Sequence, residues 1–145
     1  MDDLQSLIDS SSGFGTRLIL GIASDRLSAA ADDRFWESNT TLNANNGSRV
    51  YRQVAEAINM IELVADNTNQ GALMMALDDI SSALLDTMRS LAETQIAEAE
   101  SAGGSAFLIS RAIRRLEAGD TSRSQDRLRQ ATQRYGRAWS QAGRA

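Results

Sequence analysis

The sequence predicts an all-α fold, an up-and-down bundle of five to six helices around a long central one, in a single domain over residues 1–145. Three observations point there. Apolar residues recur at spacings of three and four along most of the chain, the stripe that an amphipathic helix buries. None of the 145 residues is proline, so no helix is interrupted from inside. Period-two runs of β-branched and aromatic residues, the mark of a half-buried strand, are missing.

The central helix is expected over about 71–101, the longest stretch free of a helix breaker after its first residue. Leu73, Leu77, Ile80, Leu84, Met88 and Leu91 form its stripe, widened by Met74, Ala76, Ala83, Leu85 and Ala92. Its polar side carries Asp78, Asp79, Asp86, Arg89, Glu93 and Glu98. At about 1.5 Å per residue it would span roughly 45 Å, long enough for a bend or a second start near Thr87. Gly103-Gly104 supplies the stop. An aspartate in place of Leu84, central in the stripe, is expected to unfold the domain.

The remaining elements follow in order. Residues 2–10 read as a short helix, with Asp2 and Asp3 at the positive end of its dipole and Leu4, Leu7 and Ile8 on its apolar side. After a polar joint at 10–15, Thr16 can cap a second helix running to about Phe35. Residues 37–48 are rich in Asn, Thr and Ser and contain Asn46-Gly47, a turn signal. Ser48 can cap a third helix, with Val50, Val54, Ile58, Ile61 and Val64 as its stripe. Ser105 can cap a fifth, lined by Phe107, Leu108, Ala112, Ile113 and Leu116 and ended by Gly119. Thr121 or Ser122 opens the last, whose apolar side is Leu128, Ala131, Tyr135, Ala138 and Trp139.

Composition narrows the chemistry. The chain has no cysteine and no histidine, which removes thiolate chemistry, disulfides, the commonest general base and the commonest transition-metal ligand. A di-metal carboxylate bundle uses Glu-x-x-His, which is therefore absent. Asp32-Asp33 and Asp78-Asp79 are neighbours in sequence and diverge by about 100° on a helix, so neither pair makes a carboxylate dyad. In the Asn-rich loop, Asn39-Thr40-Thr41 and Asn46-Gly47-Ser48 match a glycosylation sequon by chance composition, and Asn43, Asn45 and Asn46 lack the alternating acids of a calcium loop. The expectation is no enzyme activity, no cofactor and no bound metal. The apolar stretch Leu18–Ile22 is too short to span a bilayer, and Met1-Asp2-Asp3 is acidic where a signal peptide is basic, so no membrane insertion is expected.

Charge is unevenly distributed. Residues 1–100 hold 16 acids and 6 arginines, a balance of −10, and residues 101–145 hold 3 acids and 9 arginines, a balance of +6, which together make the net −4. An acidic body and a basic C-terminal hairpin attract one another within one chain or head-to-tail between copies. Arg111, Arg114 and Arg115 share one helix face and Arg123, Arg127 and Arg134 form a second row, and these six are the candidate partner-binding residues. Such rows also suit phosphate, which makes a nucleic acid or another anionic partner the alternative to a protein partner or self-association.

Several segments together resemble a helical domain common at the C-terminal ends of secreted bacterial and archaeal proteins. They are Met88-Arg89-Ser90-Leu91-Ala92, Ile96 and Ala99, Gly103-Gly104, Ile109 and Ala112, Glu117-Ala118-Gly119-Asp120, and Tyr135-Gly136-Arg137-Ala138-Trp139 with Ala142. That domain's pattern is ADRxLAxxAI, a glycine joint, a Gly-Asp corner and a closing Tyr-x-x-Ala-Trp. Trp36, Leu42, Gly47 and Val50-Tyr51 extend the likeness upstream. This chain departs from the pattern at Thr87-Met88, where Ala-Asp is usual, and across 129–133, which lacks an Ala-Ile pair. The resemblance implies a helical architecture and an extracytoplasmic or secreted setting, and it brings no catalytic residues. From the residues themselves, Tyr135 and Trp139 lie four apart on one helix face and are expected to anchor the C-terminal hairpin against the central helix. The expected function is that of a non-enzymatic structural or protein-interaction module.

Overall fold

A computed structural model describes residues 2–10 and 13–145 of the chain. Six helices carry the fold: α1 (Asp2–Ser10), α2 (Phe14–Ala30), α3 (Ser48–Asn67), α4 (Gly71–Ser101), α5 (Ala106–Ser124) and α6 (Leu128–Ala142). A 3-10 turn (Asp33–Phe35) and a two-stranded antiparallel hairpin, β1 (Trp36–Ser38) and β2 (Thr41–Leu42), join α2 to α3. The all-α expectation holds, and the hairpin is its one strand element among the described residues.

The central helix spans its expected bounds in one piece, with no second start near Thr87. α3, α5 and α6 pack along it, α2 packs outside α3, and α1 touches α2 and α4. The buried stripe of α4 is Leu73, Leu77, Ser81, Leu85, Met88, Ala92, Ile96 and Ala99, with Leu91 beside it. This corrects the predicted stripe. Leu85 is fully buried, whereas Ile80 and Leu84 are only partly covered. Both leucines belong to apolar repeats of helical spacing, and the position of α3 and α6 decides which one faces inward. An aspartate at Leu84 is therefore no longer expected to unfold the domain; Leu85 has that role.

Several boundaries differ from expectation for local reasons. α2 starts at Phe14 after Gly13, without a side-chain cap from Thr16. The predicted joint at 10–15 lies partly outside the described residues. α2 stops at Ala30 instead of Phe35, because the Asp32 carboxylate accepts the Arg34 N–H at 3.0 Å and caps a separate 3-10 turn. Neither Ser48 nor Ser105 makes a side-chain cap. At the α4–α5 joint Gly103 takes a left-handed φ of 70°, and the Gly104 N–H donates to Ala99 O at 2.9 Å.

The largest correction concerns Gly119. It does not end a helix and Gly119-Asp120 is no corner, because α5 runs on to Ser124 and α6 begins at Leu128. The turn is made by Asp126, whose φ is 56°, and by the Arg127 N–H donating to Ser122 O at 2.9 Å. Gly119 instead seats Tyr135. A Cβ there would stand 2.4 Å from the tyrosine ring. Two other glycines do the same. A Cβ on Gly136 would meet Tyr51 at 2.8 Å, and one on Gly47 would meet Trp139 at 2.8 Å. Tyr51 and Trp139 lie with ring centroids 6.1 Å apart, and the Tyr51 hydroxyl donates to Met88 O at 3.1 Å. Three aromatic rings, each flattened onto a bare glycine backbone, thus fasten α3, α5 and α6 together and to α4. Tyr135 and Trp139 are buried as expected.

Candidate functional site

The six candidate arginines do not form one surface. Arg123 reaches back to α4, donating to Asp86 at 2.6 Å and to Ser82 at 2.9 Å. Arg134 donates to Ala118 O on α5 at 2.8 Å. Arg111 lies 5.6 Å from the centroid of the exposed Phe107 ring, a cation–π contact. Arg114 and Arg127 are exposed, and Arg115 is half-buried. Arg115 does converge with Arg137 and Arg144 on a shallow hollow of about 310 Å³ completed by Ser140 and Gln141, with no acid in its lining. Arg137 and Arg144 were not among the candidates. They face Arg115 because α5 and α6 are antiparallel, an arrangement with no local sequence signal.

The acids are similarly dispersed. Asp32 is held by Arg34 at 2.9 Å, and that hydrogen-bonded guanidinium holds its carboxyl down at about 2. Arg89 grips Asp120 with two hydrogen bonds, 2.8 and 3.0 Å, and also pairs with Glu93. Asp120 accepts a third from the Tyr135 hydroxyl at 2.8 Å. The Arg89 bond lowers the Asp120 pKa despite partial desolvation, while burial and the adjacent Asp120 push the Tyr135 phenol up to about 12. This network ties α4, α5 and α6 together. Asp78 borders a hollow of about 500 Å³ with Glu62, Asp66, Asp126 and Arg123. Partial burial, then the three neighbouring carboxylates, raise the Glu62 pKa. Among the described residues no three His, Cys, Asp or Glu side chains lie together so as to hold a metal ion, and no helix is long and apolar enough to cross a membrane.

Two features were not foreseen. The first is a cleft of about 840 Å³ bounded by α1, α2, α3 and α4. Its wall includes Leu4, Leu27, Trp36, Val50, Ile80 and Leu84, and its rim Asp3, Ser6, Asp79 and Thr87. Alanines at 30, 31, 76 and 83 line it where larger side chains would have filled the space. The second is a set of large apolar side chains left in water. Phe14, Leu18 and Ile22 recur every fourth residue on the outer side of α2, with Phe14 83 % exposed, and Leu63, Met74 and Met75 are also uncovered. Arg26 of α2 pairs with Glu56 of α3 at 3.1 Å, while Ala30 at the end of α2 lines one cleft with Val50 near the start of α3, so these helices run antiparallel and the start of α2 lies level with the end of α3. Phe14, Leu18, Leu63, Met74 and Met75 therefore share one end of the bundle. The spacing of Leu18, Ile22, Ala29 and Phe35 predicts the buried face of the second helix, but Leu18, Ile22 and Ala29 are exposed and the inward side of α2 is Leu20, Ala23, Leu27 and Ala30, because α3 packs against that side.

No protein-family model, curated protein or solved structure matches this chain.

Proposed function

We propose that this bundle is a non-enzymatic contact module that joins copies of itself head to tail. The uncovered apolar end formed by Phe14, Leu18, Leu63, Met74 and Met75 is the observation that carries this reading. Large apolar side chains gathered at one end of a domain are where a contact site is expected. The same end carries Glu62, Asp66, Asp78 and Asp126 with Arg123, Arg127 and Arg129 among them, and burial, then the neighbouring carboxylates, raises the Glu62 pKa. The other end carries the exposed Phe107 with Arg111, and the hollow of Arg115, Arg137 and Arg144. The Arg89–Asp120 and Arg123–Asp86 pairs set α5 antiparallel to α4, which puts Arg111 roughly 30 Å along the α4 axis from Asp78. Both ends thus carry exposed apolar side chains beside charges, with arginines in excess only at the Arg115 hollow, and a contact of one end with the other repeats from one copy to the next. The exported or surface setting rests on the likeness of the Gly119-Asp120 and Tyr135–Trp139 segments to helical domains of secreted proteins, and it belongs to the proposal.

The test uses the absence of cysteine. Leu18→Cys and Arg137→Cys each introduce a single thiol, one at either end. On mild oxidation of an equimolar mixture, the mixed disulfide is expected to form faster than either homodimer, and added salt is expected to slow it as exposed charges are screened. A statistical mixture, or no cross-linking at all, would refute head-to-tail contact.

A second reading has its own observation. The Arg115–Arg137–Arg144 hollow contains no carboxylate, so it also suits an anionic partner such as nucleic acid. With Arg123 and Arg134 engaged inside the bundle, the basic surface available to a polyanion is smaller than the sequence implies. A salt-dependent gel shift with an Arg115→Glu, Arg137→Glu control separates this from self-contact.

A further inference from the structure

We propose that the cleft between α1 and α4 binds a small cationic amphiphile, with its apolar tail against the partly buried Leu7, Trp36, Ile80 and Leu84 and its head at Asp3 and Asp79. The size fits, since about 840 Å³ falls within the range of small-molecule pockets. So does the lining, mostly aliphatic within and polar at the rim. The rim decides the sign of the head. Two carboxylates, Asp3 and Asp79, and two hydroxyls, Ser6 and Thr87, border the cleft, and no arginine does. A fatty-acid anion would meet repulsion there and an ammonium attraction.

Trp36 adds a second preference for a cation. Its indole N–H donates to Ala30 O at 2.9 Å, which holds the ring at the cleft wall, and an indole is the aromatic ring a cation prefers. The cleft is not an unavoidable packing fault. A leucine at Ala76 or Ala83 would narrow it without disturbing the buried α4 stripe, because Ala76 is half-buried and Ala83 is exposed. α1 contributes one wall through Leu4, which is buried, and Leu7, which is partly buried. This site is separate from the contact surfaces proposed above and stands or falls independently of them.

The experiment is titration of the full chain at neutral pH with decylammonium, decanol and decanoate, each below its self-aggregation concentration, followed by calorimetry and tryptophan fluorescence. Decylammonium is expected to bind at one site, roughly tenfold tighter than decanoate, the scale of a few exposed charge interactions. Ala83→Phe should fill the cleft and weaken binding at least about tenfold while helicity is retained. Asp79→Asn changes only the rim and should narrow the amine-to-carboxylate ratio to about threefold. It supplies the test if Ala83→Phe fails to fold. No binding of decylammonium, decanoate binding as tightly, a ratio unmoved by Asp79→Asn, or undiminished binding by folded Ala83→Phe would each overturn the proposal.

Discussion

Gly119→Ala sets two rules against each other. In an exposed helix interior alanine is favoured over glycine by about 1 kcal/mol, which predicts a more stable protein. Here the added Cβ would lie 2.4 and 2.6 Å from two ring carbons of Tyr135. Carbon contacts settle near 3.5–4.0 Å, so the ring must retreat by on the order of 1 Å. Tyr135 is fully buried, so it has nowhere to go without moving α6. Overpacking of this kind costs about 1–3 kcal/mol. Retreat also draws the hydroxyl from Asp120, now at 2.8 Å, and a hydrogen bond to a charged acceptor contributes about 1.5–3 kcal/mol. After the helix-propensity gain, the net expectation is a loss of about 3 kcal/mol and a fall in Tm of about 10 °C. Urea unfolding followed by circular dichroism measures it. In a Tyr135→Val background, where the ring is gone, alanine at 119 should be neutral or stabilising. A stabilising Gly119→Ala in the parent would refute the seat assigned to Tyr135. An equal loss in both backgrounds would show that the cost comes from the backbone at 119 and not from the ring.

Three further perturbations follow from the same packing. Leu85→Ala removes a fully buried side chain and should cost about 3 kcal/mol, while Leu84→Ala, at the cleft edge, should cost about 1 kcal/mol; equal losses in urea melts would reverse the assignment of the α4 face. Asp120→Asn should cost about 1 kcal/mol at neutral pH, allowing for the partial exposure of the Arg89 pair. Because the folded-state pKa of Asp120 is lowered, that contribution is present above the ordinary carboxylate range and is lost as pH falls through the depressed value, so parent and variant should converge in acid; a gap that persists there would contradict the role given to Asp120. Glu62→Gln should stabilise by on the order of 0.5 kcal/mol at neutral pH, since it removes a partly buried charge and, with it, the repulsion from neighbouring carboxylates. Its raised pKa means the penalty arises as pH climbs through the folded value, so the gain should vanish in acid, and a thermal-shift series across pH reads both limits.

Much of the fold was legible because it is written locally. Gly71 and Gly103-Gly104 bracket α4, and the apolar repeat between them needs no partner to be recognised. The failures share a cause. The end of α2 was overrun because apolar spacing continues to Phe35, although Asp32, a capping residue, stands where the helix stops. β1 and β2 are three and two residues long, too short for a period-two pattern to register. Gly119 has the composition of a stop and the function of a socket, and what distinguishes the two is a ring sixteen positions away. Arg123 and Arg134 looked available because Asp86 and Ala118 O, which engage them, lie on other turns of the bundle. The cleft and the uncovered apolar end depend on how α1 and α2 sit against α3 and α4, and side-chain spacing within one helix carries no such information.

Sedimentation velocity over a wide concentration range, on the parent and on Phe14→Ser with Leu18→Ser, tests most directly whether this bundle works through contact. The parent should shift progressively from monomer to longer species, more so at low salt, and the serine variant, with helicity unchanged, should remain monomeric throughout. A parent that sediments as a monomer at every concentration and ionic strength would contradict the account.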